Sequence, residues 1–426
     1  MWEHCLQHAA LTDLGLRRAN NQDAMKVVLA GSQEAYHKRG HLFMVADGMG
    51  AHAAGELASK LATDTVALSY PKLLDRPPPE ALATAVTEAN AQIHRRGQDS
   101  PDFRGMGTTS TALLLLPQGA VLAHVGDSRA YRLRDGRIEQ LTFDHSLVWE
   151  LRAAGQLPEG EGAEKVPKNV ITRSLGPNAQ VQVDLEGPFP IEPGDSFLLC
   201  SDGLSGQVED EELGMILASM PPDEAVQVLV DLANLRGGPD NITVIVVRVT
   251  GPLLAEGADP ASVPEPDAPA LRPVHPAIWT VLGVSALAGL GLAAMHRWMA
   301  ALVGLGVAAV SAVVALVQRY GGAEGSEGLG GGRPLGRGPH AAAAATPNAE
   351  FVDRLGELIE RLRTLAQQED WQMDWSRLVE LTEQSAASKS AGDYPAAVRQ
   401  SCEAVRFMME RLRSRGDAKE GSGLDL

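Results

Sequence analysis

Four apolar runs in this chain end at, or begin just after, an aspartate, and that repetition constrains the fold more than any other feature. HLFMVADG stops at Asp47-Gly48, AVLAHVGD at Asp127 and DSFLLCSDG at Asp202-Gly203, while GGPDNITVIVV places Asp240-Asn241 directly before a β-branched run. Each run reads as a buried strand, and Asp-Gly suits a tight turn. The strand tips therefore carry carboxylates, with the Gly48 carbonyl beside the first. Such oxygen donors suit hard divalent cations like Mg2+ or Mn2+. One Asp-Gly by itself is usually only a turn. Four tip acids separated by long stretches meet only through a fold. Two divalent ions roughly 3.5–4 Å apart, bridged by such carboxylates, lower the pKa of a bound water and clamp a phosphoryl oxygen. That is chemistry for phosphate-ester hydrolysis.

At 426 residues the chain has room for two or three domains. Its formal charge, 37 − 54 = −17, argues against a nucleic-acid binder, which needs a basic face. The widely spaced Cys5, Cys200 and Cys402 make neither a disulfide framework nor a zinc pattern, and Cys5 and Cys200 are expected to be packing residues. MWEHCLQH lacks the basic-then-apolar pattern of a signal peptide.

Residues 1–250 read as one catalytic domain. Helical stripes cover 55–68 (Leu57, Leu61, Val66) and 79–96 (Leu82, Val86, Ala89, Ile93), the second starting at a Pro77-Pro78-Pro79 boundary. Three β-rich runs follow between Gly105 and Thr142, punctuated at Pro117-Gln118-Gly119 and Asp135-Gly136, and predict consecutive antiparallel strands. The polar stretch after DHSLVWELRAAG reads as a connection or a flap over a site. Two more helices are expected near 209–220 and 223–235, with Asp223 as N-cap and Gly237-Gly238 as the stop. Strands and helices come in clumps, which predicts a layered α+β domain with antiparallel sheets. Arg17 and Arg18 beside Asn20, Asn21, Gln22 and Asp23 offer a guanidinium for a phosphate dianion, although from this segment alone a solvated surface arginine is the simpler reading.

The ordered motifs GLRRANNQD, VADGMGAHAAGELAS, GTT, GDSRAY, LTFDHS, ITRSLG, LLCSDGL and GPDNITVIVV resemble the metal-dependent protein phosphatases (PPM, type 2C, serine/threonine), in their bacterial form, over about residues 5–249. The resemblance implies an antiparallel β-sandwich flanked by helices, with a two-metal centre of Mn2+ or Mg2+ at one end. Asp47, Asp202 and Asp240 match the metal-holding carboxylates, with the Gly48 carbonyl on the second ion. Asp127, with Asp202, matches the pair that holds a third, weaker ion in bacterial members. Asp23 matches a ligand acting through water, and Arg18 the phosphate-binding arginine. The implied reaction is single-step attack by metal-activated water on phosphoserine or phosphothreonine in a protein, opposing bacterial Ser/Thr kinases. A catalytically silent scaffold on the same fold is the alternative, and the intact carboxylate set argues against it. Two positions depart from the family pattern. Met49 stands where some eukaryotic members have a histidine, leaving His52 three residues on, and Gln22 stands where many relatives have Glu.

Beyond residue 250 the composition changes. A Pro/Ala-rich linker (251–276) leads to two apolar runs of 19 residues, 277–295 and 299–317, separated by His296-Arg297-Trp298. Each is about 28 Å long as a helix, against a hydrocarbon core of about 30 Å. One continuous helix would bury Arg297 mid-membrane at about 2.5–3.5 kcal/mol, so a transmembrane hairpin is expected over a single crossing. Arg272 on one flank and Arg319, Arg333 and Arg337 on the other predict both ends cytoplasmic, placing the enzyme on the inner membrane with its catalytic domain in the cytoplasm. A Gly/Ala-rich tether (318–346) precedes a helical region (347–426), where Val352, Leu355, Leu358, Leu362 and Leu365 form a near-heptad stripe suited to a small bundle or to self-association.

Overall fold

The computed structural model describes residues 5–51, 53–157, 166–167, 170–251, 285, 287–288, 294–297, 335–369 and 373–421, with side chains to 413 in the last helix. Strands are numbered in chain order. One antiparallel sheet has the order β1-β11-β10-β7-β8-β12: β1 (Leu6–Asp13), β11 (Ile242–Val249), β10 (Ser196–Cys200), β7 (Arg129–Arg134), β8 (Arg137–Gln140) and β12 (Ala341–Ala344). The other runs β2-β3-β5-β6-β9: β2 (Asp23–Val28), β3 (His41–Met49), β5 (Ser110–Leu116), β6 (Gly119–Val125) and β9 (Asp184–Phe189), with β4 (Gly107–Thr108) paired to the end of β3. This is the antiparallel α+β architecture that the sequence predicts.

The strands that lead to the tip acids, β3, β6, β10 and β11, read as unbroken apolar runs because both of their faces are buried. Along β3, Phe43 and Val45 point between the sheets, where they meet Leu113, Leu122, Phe197, Leu199, Ile245 and Val247. Leu42, Met44 and Ala46 point the other way, onto α2 (Ala54–Ser69) and α3 (Pro78–Asp99) through Ala58, Ala62, Val66, Leu82, Val86 and Ile93. Alternation is thus a choice between two cores rather than between core and water. Shifting such a strand by one residue would exchange the two cores, which pins the register on which the tip acids depend.

The first sheet's outer face carries α6 (Asp210–Ser219) and α7 (Pro222–Leu235). The chain enters α7 through Pro221 and Pro222, so Asp223 lies in the first turn and makes no cap, contrary to expectation. Proline at that point costs nothing, because the first-turn amides have no helical acceptor.

The larger departure lies at the C-terminus. Within the expected tether, Ala341–Ala344 pairs with β8 as an edge strand, Ala343 opposite Ile138. The helices α8 (Ala349–Gln368), α9 (Trp375–Ser390) and α10 (Tyr394–Gly421) then continue the outer core of the first sheet. Phe351, Val352, Leu355, Ile359 and Leu362 are buried in one cluster with Leu213, Met215, Ile216 and Leu229. Gly214 shows how close the contact is, since a Cβ there would lie 2.3 Å from that of Ala345. The apolar stripe proposed for self-association is therefore largely used within the chain, and of its members Leu365 is 49% exposed.

Among the described residues no helix is long and apolar enough to cross a membrane. The two apolar runs, 277–295 and 299–317, lie almost wholly outside the described residues, as do His52 and residues 158–165 and 168–169 of the expected flap.

Candidate active site

Five acids singled out in the sequence come from both sheets to one end of the sandwich. Asp47 lies near the end of β3 directly opposite Asp23 on β2. Asp127 follows β6, and Asp202 opens α5 (Asp202–Ser205) just after β10. Asp240 stands before β11, the neighbour of β10.

Small polar residues that sequence reasoning passed over fix these positions. Thr108 Oγ1 donates to the Asp47 carbonyl at 2.9 Å, the Thr109 amide donates to the same oxygen, and Thr109 Oγ1 accepts from the Asp47 amide at 2.8 Å. The GTT motif is thus a clamp on Asp47. Gly48 has to be glycine, because a Cβ would sit 2.1 Å from the Gly55 carbonyl oxygen. Ser201 Oγ donates to Asp23 Oδ2 at 2.7 Å. Asn241 accepts from the Gln22 amide through Oδ1 and donates to the Leu14 and Asn20 carbonyls through Nδ2, tying the segment that carries Arg18 to the one that carries Asp240. Each of these residues lies inside a quoted motif block, which was the available signal.

Arg18 is not the detached surface arginine that its local sequence favoured. Its Nη2 donates to Asp240 Oδ2 at 2.5 Å, across 222 positions of sequence, with 46% of the side chain exposed. A half-exposed guanidinium oriented by one carboxylate at the mouth of an acidic site is placed to receive an anion.

The electrostatics confirm that the acids crowd together. Asp23, Asp47 and Asp202 keep a margin of solvent contact at the mouth, while protein surrounds them on the remaining sides. Burial first, then the charges of Asp23, Asp202, Asp127 and Asp240, raise the Asp47 pKa well above the ordinary carboxylate range. Burial pushes Asp23 up to about 7 against the pull of hydrogen bonds from Ser201 and Thr243, with Asp202 and Asp240 adding to the rise. Asp127 is also raised to about 7, by burial and then by Asp202 and Asp144. Asp202 is raised by burial and by Asp240, and is close enough to Asp47 for a hydrogen bond between the two carboxyl groups.

Among the described residues, no group of three or more His, Cys, Asp or Glu side chains could hold a metal ion as they are placed. The acids are close enough to repel one another without forming a finished cage. Whether the donor set fits a cation is decided by its unused lone pairs. Asp23 Oδ1, Asp127 Oδ1 and Asp202 Oδ1 are all buried with no hydrogen-bond partner. A buried acceptor normally finds a donor, and leaving one unpaired costs about 1–3 kcal/mol. Three orphaned carboxylate oxygens at one end of a sandwich are what a hard divalent cation satisfies.

The family model for protein phosphatase 2C matches residues 17–231. The chain belongs to the protein phosphatase 2C family. A putative protein phosphatase 2C-type from Streptococcus pyogenes is 41% identical over 249 residues, which span 56% of this chain and 95% of the relative. The serine/threonine protein phosphatase PstP of Mycobacterium tuberculosis is 38% identical over 261 residues, 59% of this chain and 48% of that one. Among solved structures, a Streptococcus agalactiae serine/threonine phosphatase superposes with a TM-score of 0.50 at 36% identity, covering 57% of this chain and 99% of that one. This protein phosphatase 2C member is a protein serine/threonine phosphatase, and its C-terminal helices add to a unit that the streptococcal enzyme fills almost completely.

Proposed function

We propose that the enzyme hydrolyses phosphoserine and phosphothreonine in proteins by a metal-dependent route. Asp47, the Gly48 carbonyl, Asp202 and Asp240 would hold two Mn2+ or Mg2+ ions, Asp127 with Asp202 a third, and Asp23 would act through water. Cations bound there would supply activation of water and neutralisation of phosphoryl charge. The chain's own part is to orient. Thr108 and Thr109 set the Asp47 backbone, Ser201 sets Asp23, Asn241 links the two arginine-side segments, and Arg18, steered by Asp240, receives the phosphate dianion. A covalent route through cysteine has no candidate nucleophile, since the Cys200 thiol is buried and pushed up to about 12, and Cys5 and Cys402 are also buried. The reading is carried by the orphaned carboxylate oxygens of Asp23, Asp127 and Asp202. Its test is the full-length protein with Mn2+ and a phosphothreonine peptide. Hydrolysis should stop on chelation, and turnover that persists in excess chelator would rule the mechanism out.

We also propose that the enzyme is anchored in the cytoplasmic membrane by a hairpin over 277–317, with its catalytic unit in the cytoplasm opposing Ser/Thr kinases. The two uncharged 19-residue runs support the anchor. The single core shared by residues before and after the runs supports two crossings over one, since a single crossing would put its halves on opposite sides. A reporter fused after Leu426 should read cytoplasmic, and a periplasmic signal would reject the hairpin.

A further inference from the structure

One residue, His145, holds the turn before Asp127 through both its side chain and its backbone. The Gly126 amide donates to His145 Nδ1 at 2.9 Å, and the His145 amide donates to the Gly126 carbonyl at 2.7 Å. A backbone amide only donates, so Nδ1 is the bare ring nitrogen and the imidazole hydrogen sits on Nε2. Nε2 faces Asp184 Oδ2 at 2.9 Å, and Arg173 Nη1 donates to the other oxygen, Oδ1, at 2.6 Å. The ring is 1% exposed and stacks on His124 with centroids 5.0 Å apart. The turn it holds is unusual. Gly126 has φ 116°, and a Cβ there would lie 2.5 Å from the Thr109 side chain, so only glycine fits.

Arg173 belongs to a segment that is itself tied to the site. Thr172 donates its amide to the His145 carbonyl at 2.8 Å, and Leu175 and Thr108 exchange backbone hydrogen bonds at 2.9 and 3.0 Å. Thr108 is the residue that clamps Asp47. A histidine filling a core gap needs none of this wiring. A neutral imidazole oriented by a carboxylate at one nitrogen and holding a metal-site turn at the other is the pattern by which outer residues orient inner ones.

We infer that His145 is a positioning residue for Asp127, fixing the Gly126–Asp127 turn through Nδ1 while Asp184 and Arg173 anchor its far side. The inference rests on Asp127 and Asp202 holding a divalent cation, as proposed above.

Two replacements separate the nitrogens. In His145→Asn the carboxamide oxygen can stand in for Nδ1 at Gly126 but does not reach Asp184. In His145→Gln the carboxamide nitrogen can stand in for Nε2 at Asp184 and leaves the Gly126 amide unheld. The probe is Mn2+ alone, titrated into metal-stripped full-length protein by calorimetry and by electron paramagnetic resonance, alongside kcat as a function of Mn2+. His145→Gln should weaken the weakest Mn2+ binding step by about 10–100-fold, with His145→Asn much closer to wild type, and kcat at saturating Mn2+ should move far less than the half-saturating concentration. Should His145→Gln not fold, Asp184→Ala, at a residue whose side chain is 26% exposed, releases the same ring from its anchor and should weaken the same step by the few-fold expected of His145→Asn. Mn2+ steps unchanged from wild type in these variants, or shifted equally by Asn and Gln, would overturn the inference while the metal site stands. A wild-type protein that takes up no Mn2+ would overturn both.

Discussion

Asp195 and Asp202 flank opposite ends of β10, seven positions apart in the chain, and the protein treats their charges in contrary ways. Asp195 is 1% exposed and fully engaged: Arg134 reaches both oxygens at 2.6–2.7 Å and the Glu192 amide donates at 2.8 Å. Glu212 on α6 is handled in the same manner, with Arg236 at 2.5 and 2.9 Å. Burial works to raise its pKa, but Arg236 outweighs that and holds Glu212 below its ordinary value. Around Asp202 the balance is reversed. The neighbours are other carboxylates, Oδ1 has no donor, and Arg18 is paired instead with Asp240 at the rim. The fold neutralises Asp195 and Glu212 with its own arginines. At the opposite end it leaves a deficit of positive charge that only something brought from solution makes good.

Substitutions on the two sides of that contrast should act differently. Asp202→Asn should reduce turnover by more than the about 100-fold that loss of a supporting residue can cost. Its metal-free melting temperature should stay level or rise, because an unpaired buried charge has been removed. A melting temperature that drops as steeply as for a paired acid would break the comparison. Arg134→Met, far from the site, strands Asp195 without its cation and should cost about 3–5 kcal/mol of stability, measured by denaturant unfolding. Activity per folded molecule should be retained.

The smallest effect is in pH dependence. For Asp23 and Asp127 the folded pKa, about 7, lies above the unfolded value of 3.8, so their protonated forms favour folding. That stability is fully present below pH about 4 and is lost as pH rises through about 7. Metal-free protein should therefore weaken across that window, and saturating Mn2+ should flatten the slope. Glu212 has the opposite sign, with stability present above its unfolded value and lost only as pH falls through its lowered folded pKa. A metal-free profile that is flat between pH 4 and 7 would mean that the site acids are paired after all.

The acids were readable because strands with two buried faces write themselves as continuous apolar runs, and a carboxylate at the end of such a run stands out. Asp47, Asp127, Asp202 and Asp240 were found in that way, and α2 and α3 within a few residues of their ends, because a 3.6-residue stripe needs no tertiary information. Arg18 was half-read. Nothing local reveals a partner at Asp240, since that pairing exists only once β11 lies where it does. His145 carried no periodic signal at all, and its role follows from hydrogen bonds to residues 19 and 39 positions away. The strand at Ala341–Ala344 leaves no mark in the sequence for a related reason. Alanine has little intrinsic strand preference, and here the pairing partner β8 imposes the conformation.

That alanine strand makes residues 260–333 an insertion between two parts of one body. Cutting the chain anywhere within it should leave two pieces that stay associated, each carrying half of one core, as in a split reporter. Conversely, a fragment ending at residue 250 would bare Leu213, Met215 and Ile216 to solvent and lose the strand that covers the β8 edge. In this enzyme, isolating the catalytic portion is itself a mutation.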